Sequence, residues 1–142
     1  LEAKNISYYT NVGSKAMVQG GKVSGGEWID TIRFRDWLKT EIQSKVMNLF
    51  LGLPKVPFTD QGIALVQNAV IDALEEGVRA GGIVQDASSE DGEAEQSYTV
   101  TVPRAADLDA ATRKSRKLTG VTWTANLAGA LIAAKISGTL NY

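Results

Sequence analysis

A short connector, residues 52–62, joins two long segments with helical periodicity and constrains the fold more than any other feature. Pro54 and Pro57 lack a backbone N–H and disfavour helical geometry in the residue before them, so they end the first helix and keep the connector extended. Thr59 can then accept a hydrogen bond from a free N–H group of the next helix, and Asp60 adds negative charge at its positive end. The sequence therefore predicts two helices joined by a stiff corner.

Each flanking segment carries one apolar stripe. In the first helix, predicted over residues 27–51, apolar residues recur every four positions: Phe34, Leu38, Ile42, Val46 and Phe50, broadened by others that include Trp37. In the second helix, predicted over residues 60–80, the stripe consists of Ile63, Val66, Val70, Leu74 and Val78, with Ala69, Ala73 and Gly77 beside it. Gly81 and Gly82 then supply a left-handed helix stop.

The remaining segments predict strands around these helices. The strand candidates are rich in β-branched and aromatic residues or alternate apolar with polar residues: residues 6–10, 15–18, 98–102, 121–127 and 131–140. Residues 86–97 are acidic and lack an apolar pattern, which predicts a mobile surface loop, and residues 105–117 have a thin helical pattern. The sum is one α+β domain over residues 1–142, in which a mostly antiparallel sheet of three to five strands carries the two long helices on one face. Because the chain begins at Leu1, we expect it to be a piece of a longer protein.

Composition excludes several functions. The 142 residues include neither cysteine nor histidine, which rules out disulfides, zinc–thiolate sites and the serine–histidine and cysteine–histidine hydrolases. A net charge of −1 supplies no basic stripe for nucleic acid, and no apolar run reaches the roughly 18 residues of a membrane span. We expect no cofactor.

Three patterns imitate chemical sites: two fail on spacing, and for the third nothing in the sequence places two carboxylates across a cleft. The glycine-rich residues 20–26 are similar to a phosphate loop, but Val23 separates the lysine from the serine. The acidic segment is similar to a calcium loop, but Asp91 stands where the central glycine belongs. Helical carboxylates could serve as acid and base, and an enzyme of that kind would depend on Asp36 or Asp60. We predict that the chain is not an enzyme.

A compact basic cluster leaves two interpretations open. It comprises Arg113, Lys114, Arg116 and Lys117. One interpretation is a solvated turn. The other is a docking patch for an acidic neighbour, such as the Glu90–Glu95 segment of another copy.

A series of short motifs runs through nearly the whole chain: residues 5–9, 25–30, 36–38, 54–62, 98–103, 119–123, 127–132 and 136–138. In their order and spacing these motifs resemble the C-terminal part of a contractile phage tail sheath protein. Among them are Trp37 and the connector residues Pro54, Pro57, Thr59 and Asp60, to which we assign a structural role. The acidic segment is the least similar stretch and has the character of a variable insertion.

The resemblance implies a mechanical function without a substrate. Sheath copies stack around an inner tail tube and shorten on contraction, so the implied partners are other copies of the chain, the tail tube protein, and the baseplate and tail terminator proteins. The implied location is the virion, after assembly in the host cytoplasm. The alternative is an adaptor or baseplate-type binding module of a contractile injection or secretion system, with one unlike partner and no self-polymer.

Neighbouring sheath copies are linked in this family by terminal arms that add strands to an adjacent sheet, which is β-augmentation. The strand-forming chain ends are compatible with such arms, although Ala133 and Ala134 are poor strand formers. The candidate pairing residues are Ile6, Tyr8, Ile132, Ile136, Thr139, Leu140 and Tyr142.

Overall fold

A computed structural model describes residues 6–12, 14–85, 87–88, 94–95 and 97–130. In chain order the elements are β1 (Tyr8–Val12), β2 (Lys15–Gln19), α1 (Ile29–Gly52), α2 (Asp60–Arg79), β3 (Ala87–Ser88), β4 (Ala94–Glu95), β5 (Tyr98–Thr101), a 3-10 turn (Ala105–Asp107), α3 (Ala110–Ser115) and β6 (Thr122–Ala125). The predicted strand over residues 131–140 lies outside the described residues.

The two long helices begin and end close to where the sequence predicts. Helix α1 stops at Gly52, and Leu53, the residue before Pro54, is extended with φ −116° and ψ 137°. The Thr59 Oγ1 accepts a hydrogen bond from the Gly62 N–H at 3.4 Å, so the predicted N-cap of α2 is confirmed. At the other end Gly81 has φ +75°, and the N–H of the following glycine reaches back into the last turn of the helix.

The core lies between α1 and α2. Its centre comprises Leu38, Val70, Leu74 and Ile83. Helix α2 contributes its whole predicted stripe, with Val78 half-buried at the end of it. The side chains packed around this centre are Phe34, Ile42, Val46, Val78, Tyr98, Val100 and Ala125. Trp37 stacks obliquely on Phe34, with ring centroids 5.6 Å apart, and keeps 38% of its surface exposed.

The prediction for α1 is wrong at its C-terminal end. Phe50 was expected in the buried stripe but is 51% exposed, and only Leu38 is buried along this helix. Residues four apart on a helix of 3.6 residues per turn advance by about 40° at each step. Phe50 therefore lies about 160° around the helix from Phe34 and falls outside the buried stripe.

The α+β class is confirmed, but the larger sheet is not. Among the described residues the strands form three antiparallel pairs, β1 with β2, β3 with β4 and β5 with β6. Beyond β6, the chain pairs with the segment after α2, because Val84 N–H donates to the Asn126 carbonyl and Ala128 N–H donates to the Gly82 carbonyl. Of the strands, β5 makes the main contact with α2.

Two segments outside the predicted helices and strands contain paired backbone. Within residues 86–97, β3 and β4 form a two-residue ladder, and the Ser97 hydroxyl donates to the Gln85 carbonyl at 2.7 Å. Within residues 20–26, a tight hairpin forms because Val23 N–H donates to the Glu27 carbonyl and Gly26 N–H donates to the Val23 carbonyl. This hairpin leads into α1 and does not have the form of a phosphate loop.

Candidate assembly surfaces

The connector forms a rigid corner in which the backbone of α2 packs directly against the backbone of the connector. Gly62, in the first turn of α2, is buried against the carbonyl group of Pro57, and no side-chain carbon would fit between them. Asp60 does more than complement the helix dipole, since its Oδ1 accepts a hydrogen bond from the Ala105 N–H at 2.7 Å. No local pattern indicates this second role, because 45 residues separate the partners.

Replacing Asp60 with alanine should therefore detach the 3-10 turn from the corner. We expect a loss of about 1 kcal/mol in the free energy of unfolding, because the bond is charge-assisted but exposed. Asp60→Asn keeps an acceptor oxygen and should lose less than half as much. Urea unfolding of the two variants measures the difference, and equal losses would contradict a role for the hydrogen bond.

A small apolar socket opens beside this corner. It has a volume of about 90 Å³ and is lined mainly by Phe50, Val56, Phe58, Ile63, Leu118 and Arg116. Phe50, at the C-terminal end of α1, forms part of the wall of this socket. Arg116 adds a positive charge at the same opening, so the corner socket combines apolar walls with a basic edge.

The four residues of the basic cluster lie together at the end of α3, all exposed. Arg116 itself has φ 56°, a left-handed geometry, and its N–H caps α3 by donating to the Arg113 carbonyl. The described part of the chain holds no acidic side chain within 4 Å of any of the four. Hydrogen bonds with Thr112 hold the pKa of Asp109 below its ordinary value, and the positive charge of Arg113 lowers this pKa further.

An ion pair links the two long helices on their exposed side. The Lys45 Nζ lies 2.8 Å from the Glu76 Oε2 and 3.7 Å from the Glu41 Oε1. The hydrogen bond from Lys45, and then its charge, lower the pKa of Glu76, while the same hydrogen bond raises the pKa of Lys45. Sequence periodicity does not reveal this pair, because its partners lie on different helices.

A lowered carboxyl pKa stabilises the fold above the pKa that the group has when unfolded, and this contribution is lost as the pH falls through the folded value. We therefore expect Lys45→Met to destabilise the protein at neutral pH and the deficit to shrink in acid, below the ordinary glutamate pKa. Thermal unfolding from about pH 7 to about pH 3 measures this. Lys39→Met, on an exposed face of α1, is the control. A deficit that stays constant with pH would contradict the assignment.

The β5–β6 pair is only half covered. Along β5, Tyr98 and Val100 turn toward the helices while their neighbours are exposed, and burial together with nearby Glu75 raises the pKa of Tyr98. Along β6 every residue except Ala125 is exposed, and Trp123 keeps 40% of its surface free although it pairs with Val100. The outer edge of a two-stranded ladder leaves backbone N–H and C=O groups available for another strand.

The predicted pairing residues are placed only at the N-terminal end. Tyr8 lies in β1 opposite Gln19 and is half-buried. Ile6 precedes the strand and is 45% exposed. The other candidates lie outside the described residues: Ile132, Ile136, Thr139, Leu140 and Tyr142.

The described residues provide no evident metal site. In those parts of the chain no three acidic side chains are grouped so that they could hold a metal ion. Asp36 is exposed on α1. A separate search of the same residues finds no helix with the length and apolar character needed to cross a lipid bilayer.

A search of curated proteins gives no significant match. A scan of protein-family profiles matches residues 29–140, more than half of the chain, to the family described as E217 tail sheath protein gp31-like, C-terminal domain. This match includes both long helices, the corner and the β5–β6 pair. The chain therefore belongs to that family and is a phage tail sheath C-terminal domain.

Proposed function

We propose that this domain links copies of a contractile tail sheath around the tail tube by exchange of terminal strands. Tail sheath proteins are structural components of the phage tail, and this membership supports the mechanical part of the proposal. The observation that carries the linkage is the β5–β6 pair, whose second strand is exposed on both faces apart from Ala125. A further strand would satisfy its edge and cover Trp123.

The added strands would come from the chain ends of neighbouring copies, through residues 6–10 and 131–140. Such exchange would also add strands to the two-stranded pairs of a single copy, and so form the sheet of three to five strands that the sequence predicts. The domain would then meet the tube protein, the baseplate and the tail terminator within the virion, after assembly in the host cytoplasm.

Electron microscopy of the full-length protein tests the proposal. We expect tubes or rings, and we expect removal of residues 131–142 to abolish them while the thermal unfolding midpoint stays the same. The control is Gln43→Ala, on an exposed face of α1 and away from both chain ends; it should still give tubes. Dispersed monomers of the unaltered protein under every salt condition would overturn the proposal. Recovery of one unlike protein in a pull-down, without self-assembly, would favour the adaptor alternative.

A further inference from the structure

Segments of opposite charge adjoin the two ends of α2, a helix that itself begins with Asp60 and ends with Arg79. The basic cluster lies at the N-terminal end, because Arg116 shares the corner socket with Ile63. The acidic segment, residues 86–95, contains five acidic and no basic residues. It is anchored by Gln85 and Ser97, which lie beside Glu75 near the C-terminal end of α2.

The path of the chain shows that the acidic segment is attached far from the basic cluster. Tyr98 donates to Glu75, the Val100 carbonyl accepts from Gln67, and Ala105 donates to Asp60. The chain from Tyr98 to Ala105 therefore runs back along α2 toward its N-terminus. The segment before it enters from the opposite end of a helix about 30 Å long.

The basic end also carries exposed apolar surface. Leu51 is 77% exposed, Met47 57%, Phe50 51% and Leu53 38%, and Phe50 forms part of the socket wall. A contiguous apolar patch with a charged border has the composition of a protein interface. The charge of the border indicates a partner that is acidic.

We infer that the corner socket and the basic cluster dock the acidic end of a second copy, with residues 86–95 of that copy lying against Arg113, Lys114, Arg116 and Lys117. We assign a second copy as the binding partner because the charge of its acidic segment is complementary to that of the basic cluster. Because the two surfaces differ, the contact is head-to-tail and can extend without limit, as a sheath requires. The inference rests on the proposed function, in that the occupant is another sheath subunit.

Charge reversal in the full-length protein tests the contact. One variant reverses the basic end through Arg113→Glu, Lys114→Glu and Lys117→Glu, leaving Arg116 as the cap of α3. The other reverses the acidic end through Glu90→Lys, Asp91→Lys and Glu93→Lys. Each variant alone should associate at least about tenfold more weakly than the unaltered protein in sedimentation at about 50 mM salt, because both ends then carry like charge.

Mixing the two variants should restore association to within about threefold of the unaltered protein, because every contact again joins opposite charges. The matched control reverses three exposed basic residues on α1, Arg33→Glu, Arg35→Glu and Lys39→Glu, and should associate normally. Circular dichroism at each step confirms that the variants are folded.

Variants that associate as strongly as the unaltered protein, or a mixture that stays dispersed, would overturn the inference. If the unaltered protein associates without forming tubes, the proposed function fails, but loss of association in each variant and its recovery in the mixture still support the docking contact. If tubes form and the reversals change nothing, only the docking contact fails.

Discussion

Gly62→Ala is expected to destabilise the domain by about 3 kcal/mol or more. Helix propensity alone predicts the opposite, since alanine is favoured over glycine inside a helix by about 1 kcal/mol. At this position, however, the new methyl carbon would meet the backbone carbonyl of Pro57, which cannot swing aside as a flexible side chain could. The corner would have to open, and the Thr59 cap would be lost with it. Urea unfolding gives the free energy directly.

Gly52→Ala is the matched control. Gly52 lies at the other end of the corner, and a methyl group added there meets nothing within 4 Å. This variant should gain up to about 1 kcal/mol from propensity, so the two alanines should shift stability in opposite directions. A Gly62→Ala protein as stable as its parent would show that the corner is not rigid.

The sequence was sufficient to predict the helices because their signals are local. The proline pair, the threonine cap and the glycine stop act within a few residues, and the structure places each as predicted. The predicted apolar stripe of α2 is also confirmed. Its residues are spaced by three and four positions and therefore stay within an arc of about 120° on one face of the helix. Helix α1 was predicted less well because its stripe is spaced by four throughout and drifts around the helix.

The candidate surfaces were predicted in part. The basic cluster is contiguous in sequence, so its exposure followed from composition. The corner socket did not, because it joins Phe50, Phe58 and Leu118 from three separate segments. The Lys45–Glu76 pair was missed for the same reason. An edge strand such as β6 is also hard to recognise from sequence, because apolar and polar residues alternate in the same way in an edge strand and in a strand that is paired on both sides.

Leu74→Ala is the second large effect that we expect. Leu74 is fully buried, in a cluster with Leu38, Val70 and Ile83 that joins both long helices to the segment after α2. Truncation removes buried apolar surface and leaves a cavity, which costs about 2–5 kcal/mol. The thermal midpoint should fall by about 10 °C.

Leu51→Ala makes the same chemical change at a residue that is 77% exposed. It should alter the free energy of unfolding by less than about 0.5 kcal/mol, but it removes part of the apolar surface beside the corner socket and should weaken association between copies. Leu74→Ala should lower the free energy of unfolding, and it should reduce assembly only under conditions in which the domain unfolds. The two leucines thus separate folding from docking, and a Leu51→Ala protein that unfolds as readily as Leu74→Ala would show that Leu51 belongs to the core.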